Sequence, residues 1–430
     1  MSIKETITNQ IKSHSTILGN MASLGLLQIA NYLIPIAVFP FITRALGVET
    51  IGRICYAQNI IQYFTIIITY GFEYSATREI AIHKEDKEKV SQIFWSVIAI
   101  KTLLLAFTFL CLIVLSIFWG RVQEDLPLYL CLFGINIGFT YFPTWFFQGI
   151  EEMKGMSVIN FLIKLFGMGL SVFFIHSPED YLVYAYLPSI SYTVFGLGSF
   201  IYVIKKYGIK RCSSIKSEIV NQNKKAFPIF LNSFFQTLYT TANVTILGLF
   251  VCDYEVGIYA GAHKIITCIL MITSMPINIA IYPSVGRKMA ESKTEGIRYL
   301  KQVGLYVVVA ALAISLLSLL VSPLLVKILL GSQFTDSIPL LRVFCCMPLL
   351  VITASLCTVQ GLYGLGYQKY APWMGLTVGL VCILMNFQFI PLWGVYGAAL
   401  SWIIAEILEI GISGGIVMYK SRTIKVENLK

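Results

Sequence analysis

The chain has 430 residues, 57% of them hydrophobic and only 13% charged, with a mean hydropathy of +0.76. A soluble surface needs roughly a quarter of its residues charged, so this composition excludes a soluble multidomain protein and requires a surface that meets lipid. The net charge of +10 would suggest nucleic acid for a soluble protein, but Lys and Arg collecting in cytoplasmic loops explain it here, and no nucleic-acid partner is expected.

A helix needs about 20 apolar residues to span a bilayer. Twelve stretches qualify: 16–39, 51–72, 93–119, 127–149, 157–175, 181–204, 226–250, 256–283, 300–322, 337–360, 370–390 and 395–419. The first fifteen residues, MSIKETITNQIKSHS, are polar, and the apolar run after them is too long for the core of a cleavable signal. That run is expected to stay as the first membrane helix. Pro35 and Pro40 are expected to break it near Arg44, in FITRALGVETIGR, where Arg53 opens the second helix. Between helices 2 and 3 the chain reads YGFEYSATREIAIHKEDKEKV, from Tyr70 to Val90; the mixed-sign run HKEDKEK reads as a solvated cytoplasmic loop. Pro276 and Pro283 are expected to break helix 8 in the same way as helix 1.

With both termini in the cytoplasm, 24 of the 32 cations fall in cytoplasmic segments, 4 in outer loops and 4 within helices. This bias sets the expected orientation. No outer loop exceeds about fifteen residues, so the work is expected to be done within the bilayer.

An internal repeat is visible. VETIGRICYA, with Gly52, is matched by YEVGIYAGA, with Gly257, at an offset of 205; Gln148-Gly149 is matched by Gln360-Gly361 at an offset of 212. Six expected helices separate the copies, so both copies share one orientation. The fold class read from this is an all-α polytopic membrane protein, about 12 transmembrane helices in two pseudo-symmetric six-helix lobes around a central cavity. The lobes are expected at residues 1–215 and 216–430, rocking in alternating access.

Ionisable groups inside spans are functional candidates because each is costly unless paired or hydrated. They are Lys101, Lys164, His263, Lys264, Arg342, Glu406 and Glu409. Lys101 and Lys164 lie about 10–12 Å from the cytoplasmic side, close enough either to snorkel or to line a cavity. Arg342 could likewise anchor at the outer interface. Lys264, flanked by Gly261 and Ala262, has room around it for water and is expected to line the cavity. Glu406 and Glu409 share a helix face and could pair with a cation or relay protons; His263 could join that relay or simply pack between helices. A cationic cavity suits an anionic substrate, with phosphate the natural partner of Arg and Lys. No Walker A sequence, nucleophile–base pair or metal spacing among the ten cysteines is present, so neither cofactor, metal nor catalysis is expected.

The segment from Phe41 to Phe94, above all YGF with SATREI, together with VGIYAGAHKI and AIYPSVGR, resembles the Wzx-type flippases of bacterial O-antigen and capsule synthesis. These belong to the multidrug/oligosaccharidyl-lipid/polysaccharide exporter superfamily. The resemblance covers essentially the whole chain. It implies movement of an undecaprenyl-diphosphate-linked sugar unit from the cytoplasmic to the periplasmic leaflet of the bacterial inner membrane. It implies membrane lipids as surroundings, and a polysaccharide polymerase and a chain-length regulator as partners. By resemblance Lys264 is the first substrate contact, with Arg44 and Arg53 at the outer end of the cavity, and Arg78 with Glu79 forms a cytoplasmic gate. In the family an acidic residue often precedes the lysine, and here His263 stands in that place. A small-molecule exporter of the same superfamily, a lipid-II-type flippase and a membrane polysaccharide polymerase are the alternative readings.

Overall fold

The computed structural model describes residues 3–211 and 215–427; Cys212 and Lys430 lie outside them. Among the described residues there is no strand, and ten helices are long and apolar enough to cross a membrane. The protein is an all-helical polytopic membrane protein. Leu103, Phe107, Phe118, Leu320 and Leu384 are exposed, which in a bilayer is contact with lipid rather than water.

By contact the helices form two units. The first takes Met1–Ala45 and Ile61–Ser233 in its described part. It holds the two ends of α1 (Ile3–Thr69), then α2 (Phe72–Ile82) and α3 (Lys87–Phe118). The short helices α4 (Gly120–Glu124), α5 (Leu126–Phe133), α6 (Ile135–Tyr141), α7 (Thr144–Gly149), α8 (Met153–Lys164) and α9 (Ser171–Phe174) follow, and then α10 (Tyr181–Tyr207). The second unit takes Leu46–Ile60, from the middle of α1, and Phe234–Lys430. It holds the end of α11 (Lys216–Phe250), then α12 (Asp253–Glu291) and α13 (Lys293–Leu329). It closes with α14 (Ser337–Phe344), α15 (Met347–Ser355), α16 (Ala371–Trp393) and α17 (Val395–Glu427).

The expected first and second helices run into one another as α1, and the break falls at Gly47 (φ 77, ψ 174) rather than at Pro35 or Pro40, which stay helical. A proline inside a helix frees one carbonyl, and membrane helices tolerate this where neighbouring groups answer it. Pro276 and Pro283 likewise sit inside an unbroken α12. The expected fourth helix is broken at Phe142-Pro143, whereas Gly134, between α5 and α6, keeps helical angles (φ −51, ψ −28). The fifth and tenth widen into π turns at Leu165–Gly169 and Leu356–Tyr363, a form that often marks functional segments.

The charged run after α2 is a turn over His83–Asp86, as expected of a solvated loop, and its last three residues open α3. Asp86 caps α3, its Oδ1 accepting from the backbone N–H groups of Glu88 and Lys89 at 3.1 and 3.0 Å. α2 begins after two left-handed residues, Tyr70 (φ 48) and Gly71 (φ 75). A Cβ at Gly71 would come within 2.9 Å of Ile229, so conformation and space both demand glycine there. The Tyr70 ring stacks on Phe230 at 4.7 Å and 14°.

The core of the first unit gathers around Phe94, whose ring lies 5.6–5.9 Å from those of Trp95, Trp145, Phe146 and Phe200. The second unit has smaller apolar clusters, such as Val307, Ala311, Ile352 and Leu356, and Met374, Val378, Cys382 and Ala405.

Candidate functional site

In the first unit the structure answers the question of depth for Lys101. The side chain is fully buried, and its Nζ donates to the Phe139 carbonyl at 2.6 Å. In an unbroken helix that carbonyl would accept from residue 143, but Pro143 has no N–H. Lys101 supplies the missing donor at the end of α6 and neither snorkels nor faces open space. Lys164 is half-buried, one residue before the first π turn. Arg44 is exposed on α1.

Arg78 and Glu79, neighbours on α2, point different ways. Arg78 is exposed, whereas Glu79 is buried and paired with Lys225 of α11 at 2.8 Å. Lys89 pairs in the same manner with Glu218, also on α11, at 2.7 Å. Of the two residues expected at the cytoplasmic gate, Glu79 is thus in an ion pair, and its partner is Lys225. Adjacent helical residues do not face each other, which is why Arg78 stays exposed while Glu79 is buried. Because the Glu79 side chain is only 10% exposed and that of Lys225 43%, the coupling between them is expected to be about 1–2 kcal/mol, between the surface and buried limits. A double-mutant cycle of Glu79→Gln and Lys225→Gln by thermal unfolding measures it, and additive effects would show that the pair contributes no coupling.

Nearby, Glu152 accepts from Lys206 Nζ at 2.9 Å and from the Tyr207 hydroxyl at 2.5 Å. The Lys206 hydrogen bond, then that of Tyr207, holds the Glu152 carboxyl below the usual carboxylate range.

In the second unit His263 sits in an aromatic cluster. Its ring is 4.9 Å from Trp402, 5.8 Å from Tyr259 and 6.3 Å from Phe344. The Trp402 indole N–H donates to Glu406 Oε1 at 3.1 Å, and the Thr358 hydroxyl donates to Glu409 Oε1 at 3.0 Å. Thus His263 and Glu406 are joined through Trp402 on α17, whereas Glu409 is held by Thr358. Among the described residues neither carboxylate meets a cation; neutral donors hold both.

Lys264, the next residue on α12, is exposed and acts electrostatically on Cys55 of α1 as well as on Cys268. The structure therefore brings the expected substrate lysine beside the segment that carries Arg53, which is half-buried. Arg342 is exposed on α14.

Several buried amides escaped the sequence reading, which followed charges. Thr65 donates to Asn136 Oδ1 at 2.8 Å, and Asn386 Nδ2 donates to Asn243 Oδ1 at 2.6 Å. Asn278 Oδ1 accepts from Ser355 at 2.7 Å and Gln360 at 3.3 Å. A lone Asn or Gln in an apolar run was the available signal, since such groups join helices in a bilayer.

A family profile described as "Polysaccharide biosynthesis protein" matches residues 17–289. Two full-length relatives are known by name. One, a candidate O-antigen transporter of Escherichia coli (strain K12), is 26% identical over 389 residues, covering 90% of this chain and 94% of that protein. The other, a candidate O-antigen transporter of Shigella dysenteriae, is 27% identical over 413 residues, covering 94% and 99%. Among solved structures, an inward-facing multidrug resistance MATE family transporter of the MOP superfamily superposes with a TM-score of 0.72 at 14% identity, over 92% of this chain and 95% of that one. The lipid II flippase MurJ, in an inward closed conformation, gives 0.67 at 14% identity over 94% and 90%. At such identity the two structures establish the fold and nothing more.

Proposed function

The chain belongs to the polysaccharide biosynthesis protein family, and from that premise we propose that it is a flippase for a lipid-linked oligosaccharide. The observation that carries this is likeness over almost the full length, 94% and 99% of the two relatives named for O-antigen transport. The proposed cargo is an undecaprenyl-diphosphate-linked repeat unit, moved from the cytoplasmic to the periplasmic leaflet of the inner membrane, with both termini in the cytoplasm. Two six-helix lobes, 1–215 and 216–430, alternate access to a cavity between them. The protein transports and does not catalyse; a polymerase and a chain-length regulator are the partners that would receive its product.

The chemistry divides among the residues. A diphosphate calls for cations, and Lys264, Arg44 and Arg342 are exposed, with Arg53 half-buried. The prenyl chain stays in hydrocarbon, where it costs nothing to leave it. Lys164 is kept as a secondary cation of the path. Lys101 acts indirectly, by holding the break at Pro143. Glu79 with Lys225, and the exposed Arg78 beside them, form the cytoplasmic latch. His263 and Glu406, linked by Trp402, together with Glu409 are the proposed proton-coupling group.

The test is surface polysaccharide in the native host after deletion of the gene, with complementation by wild type and by Lys264→Ala. Loss of polymer with lipid-linked units accumulating on the cytoplasmic side is expected. Normally expressed Lys264→Ala protein is expected to restore less than a tenth of the polymer, the loss that about 1.4 kcal/mol of missing contact produces. Unchanged polymer on deletion would move the exporter and polymerase readings ahead.

A further inference from the structure

We infer that the backbone contact between Gly52 and Gly257 is the outer closure of the transport path, parting each time the cavity opens outward. The inference rests on the flippase reading for its purpose, but its geometry stands apart from it. A Cβ on Gly52 would lie 1.8 Å from the Asp253 carbonyl oxygen and 2.7 Å from the Gly257 nitrogen. A Cβ on Gly257 would lie 2.0 Å from the Val48 carbonyl oxygen. Here α1 and α12 touch backbone to backbone, with no space for any side chain.

The contact is reciprocal. Gly52 meets a residue four before Gly257, and Gly257 meets a residue four before Gly52. The repeat offset of 205 carries Val48 onto Asp253 and Gly52 onto Gly257. The two copies of the repeat therefore meet each other through the same surface, as in a two-fold interface. This explains why Leu46–Ile60, from the first repeat, falls by contact within the second unit. A self-complementary surface formed by the two moving copies is what a rocking transporter needs at one end of its path. Bare backbone faces can also part and close again without side chains having to change rotamer. Charge asymmetry puts this end outside, between Arg44 and Arg53 in one copy and in the first turns of α12 in the other.

The reporter is Cys55, one turn inward from Gly52, kept as the single cysteine. A membrane-impermeant maleimide is added to spheroplasts. Gly52→Leu and Gly257→Leu cannot close, so labelling of Cys55 is expected to rise roughly tenfold or more while surface polymer is lost. A second arm leaves both glycines intact. Glu49→Cys is joined to the native Cys252, both positions being exposed, by a short reducible bis-thiosulfonate in a chain otherwise free of cysteine. Polymer export should stop on cross-linking and resume on reduction. Folded leucine variants that label at the wild-type rate, or a cross-linked chain that still exports, would overturn the closure. If labelling rises in the leucine variants while gene deletion leaves polymer untouched, the closure stands and the flippase reading falls.

Discussion

Trp145→Ala is expected to destabilise the protein by about 3–5 kcal/mol, the range for truncating a large aromatic in a packed interior. Trp145 is fully buried on α7, with its ring 5.6 Å from Phe94 and 6.2 Å from Phe146. Its backbone carbonyl also accepts from the Thr77 hydroxyl at 3.2 Å, so α7 is joined there to α3 by ring packing and to α2 by a hydrogen bond. Trp145→Phe separates volume from polarity. The indole Nε1–H is buried without a partner among the described residues, and phenylalanine removes that donor while keeping most of the ring. The phenylalanine variant is therefore expected to lose about 1 kcal/mol or less, the partial loss of volume being offset by the shed donor. Thermal unfolding in detergent micelles measures both. An alanine variant as stable as the phenylalanine one would show that the core relaxes around the loss.

Lys101→Met is the second large effect, and here two terms oppose one another. Methionine of similar length removes a buried charge, which favours the variant. It also strands the Phe139 carbonyl, which Pro143 cannot serve, at a cost of about 1–3 kcal/mol. Lys101 also lies in the field of Glu73, on α2, and Glu73 accepts from Thr144 at 2.5 Å, so the neutral variant forfeits that attraction too. The net expectation is destabilisation of about 1–3 kcal/mol, with Lys101→Arg retaining more stability than Lys101→Met because it keeps charge and donors. The measurement is melting temperature beside polymer export at matched protein level. Full stability with abolished export would place Lys101 on the substrate path instead.

What the sequence disclosed follows from what the bilayer enforces. Apolar runs such as Lys87–Phe118 must be helices, because nothing else satisfies backbone groups in hydrocarbon. The aligned glycines at 52 and 257 were legible as a repeat; that they touch was not, because sequence gives equivalence and not distance. Lys101 illustrates the limit most clearly. Its depth was readable at 1.5 Å per residue, but its role depended on a proline 42 positions later, which frees one carbonyl. The partner of Glu79 was not legible for a simpler reason: Lys225 is remote in sequence and arrives on another helix. The link from His263 through Trp402 to Glu406 was hidden because an indole N–H, not a charge, completes it.

The Glu79–Lys225 pair has a consequence for the birth of the protein. At roughly 5–20 residues per second, the ribosome reaches Lys225 about 7–30 seconds after Glu79. Lys89 waits a similar time for Glu218. Throughout that interval the first three helices stand in the membrane with an acid and a base that still lack their counterparts. The arrival of α11 supplies both counterparts at once, so a chain stopped before Glu218 carries an acid and a base that the finished first unit pairs.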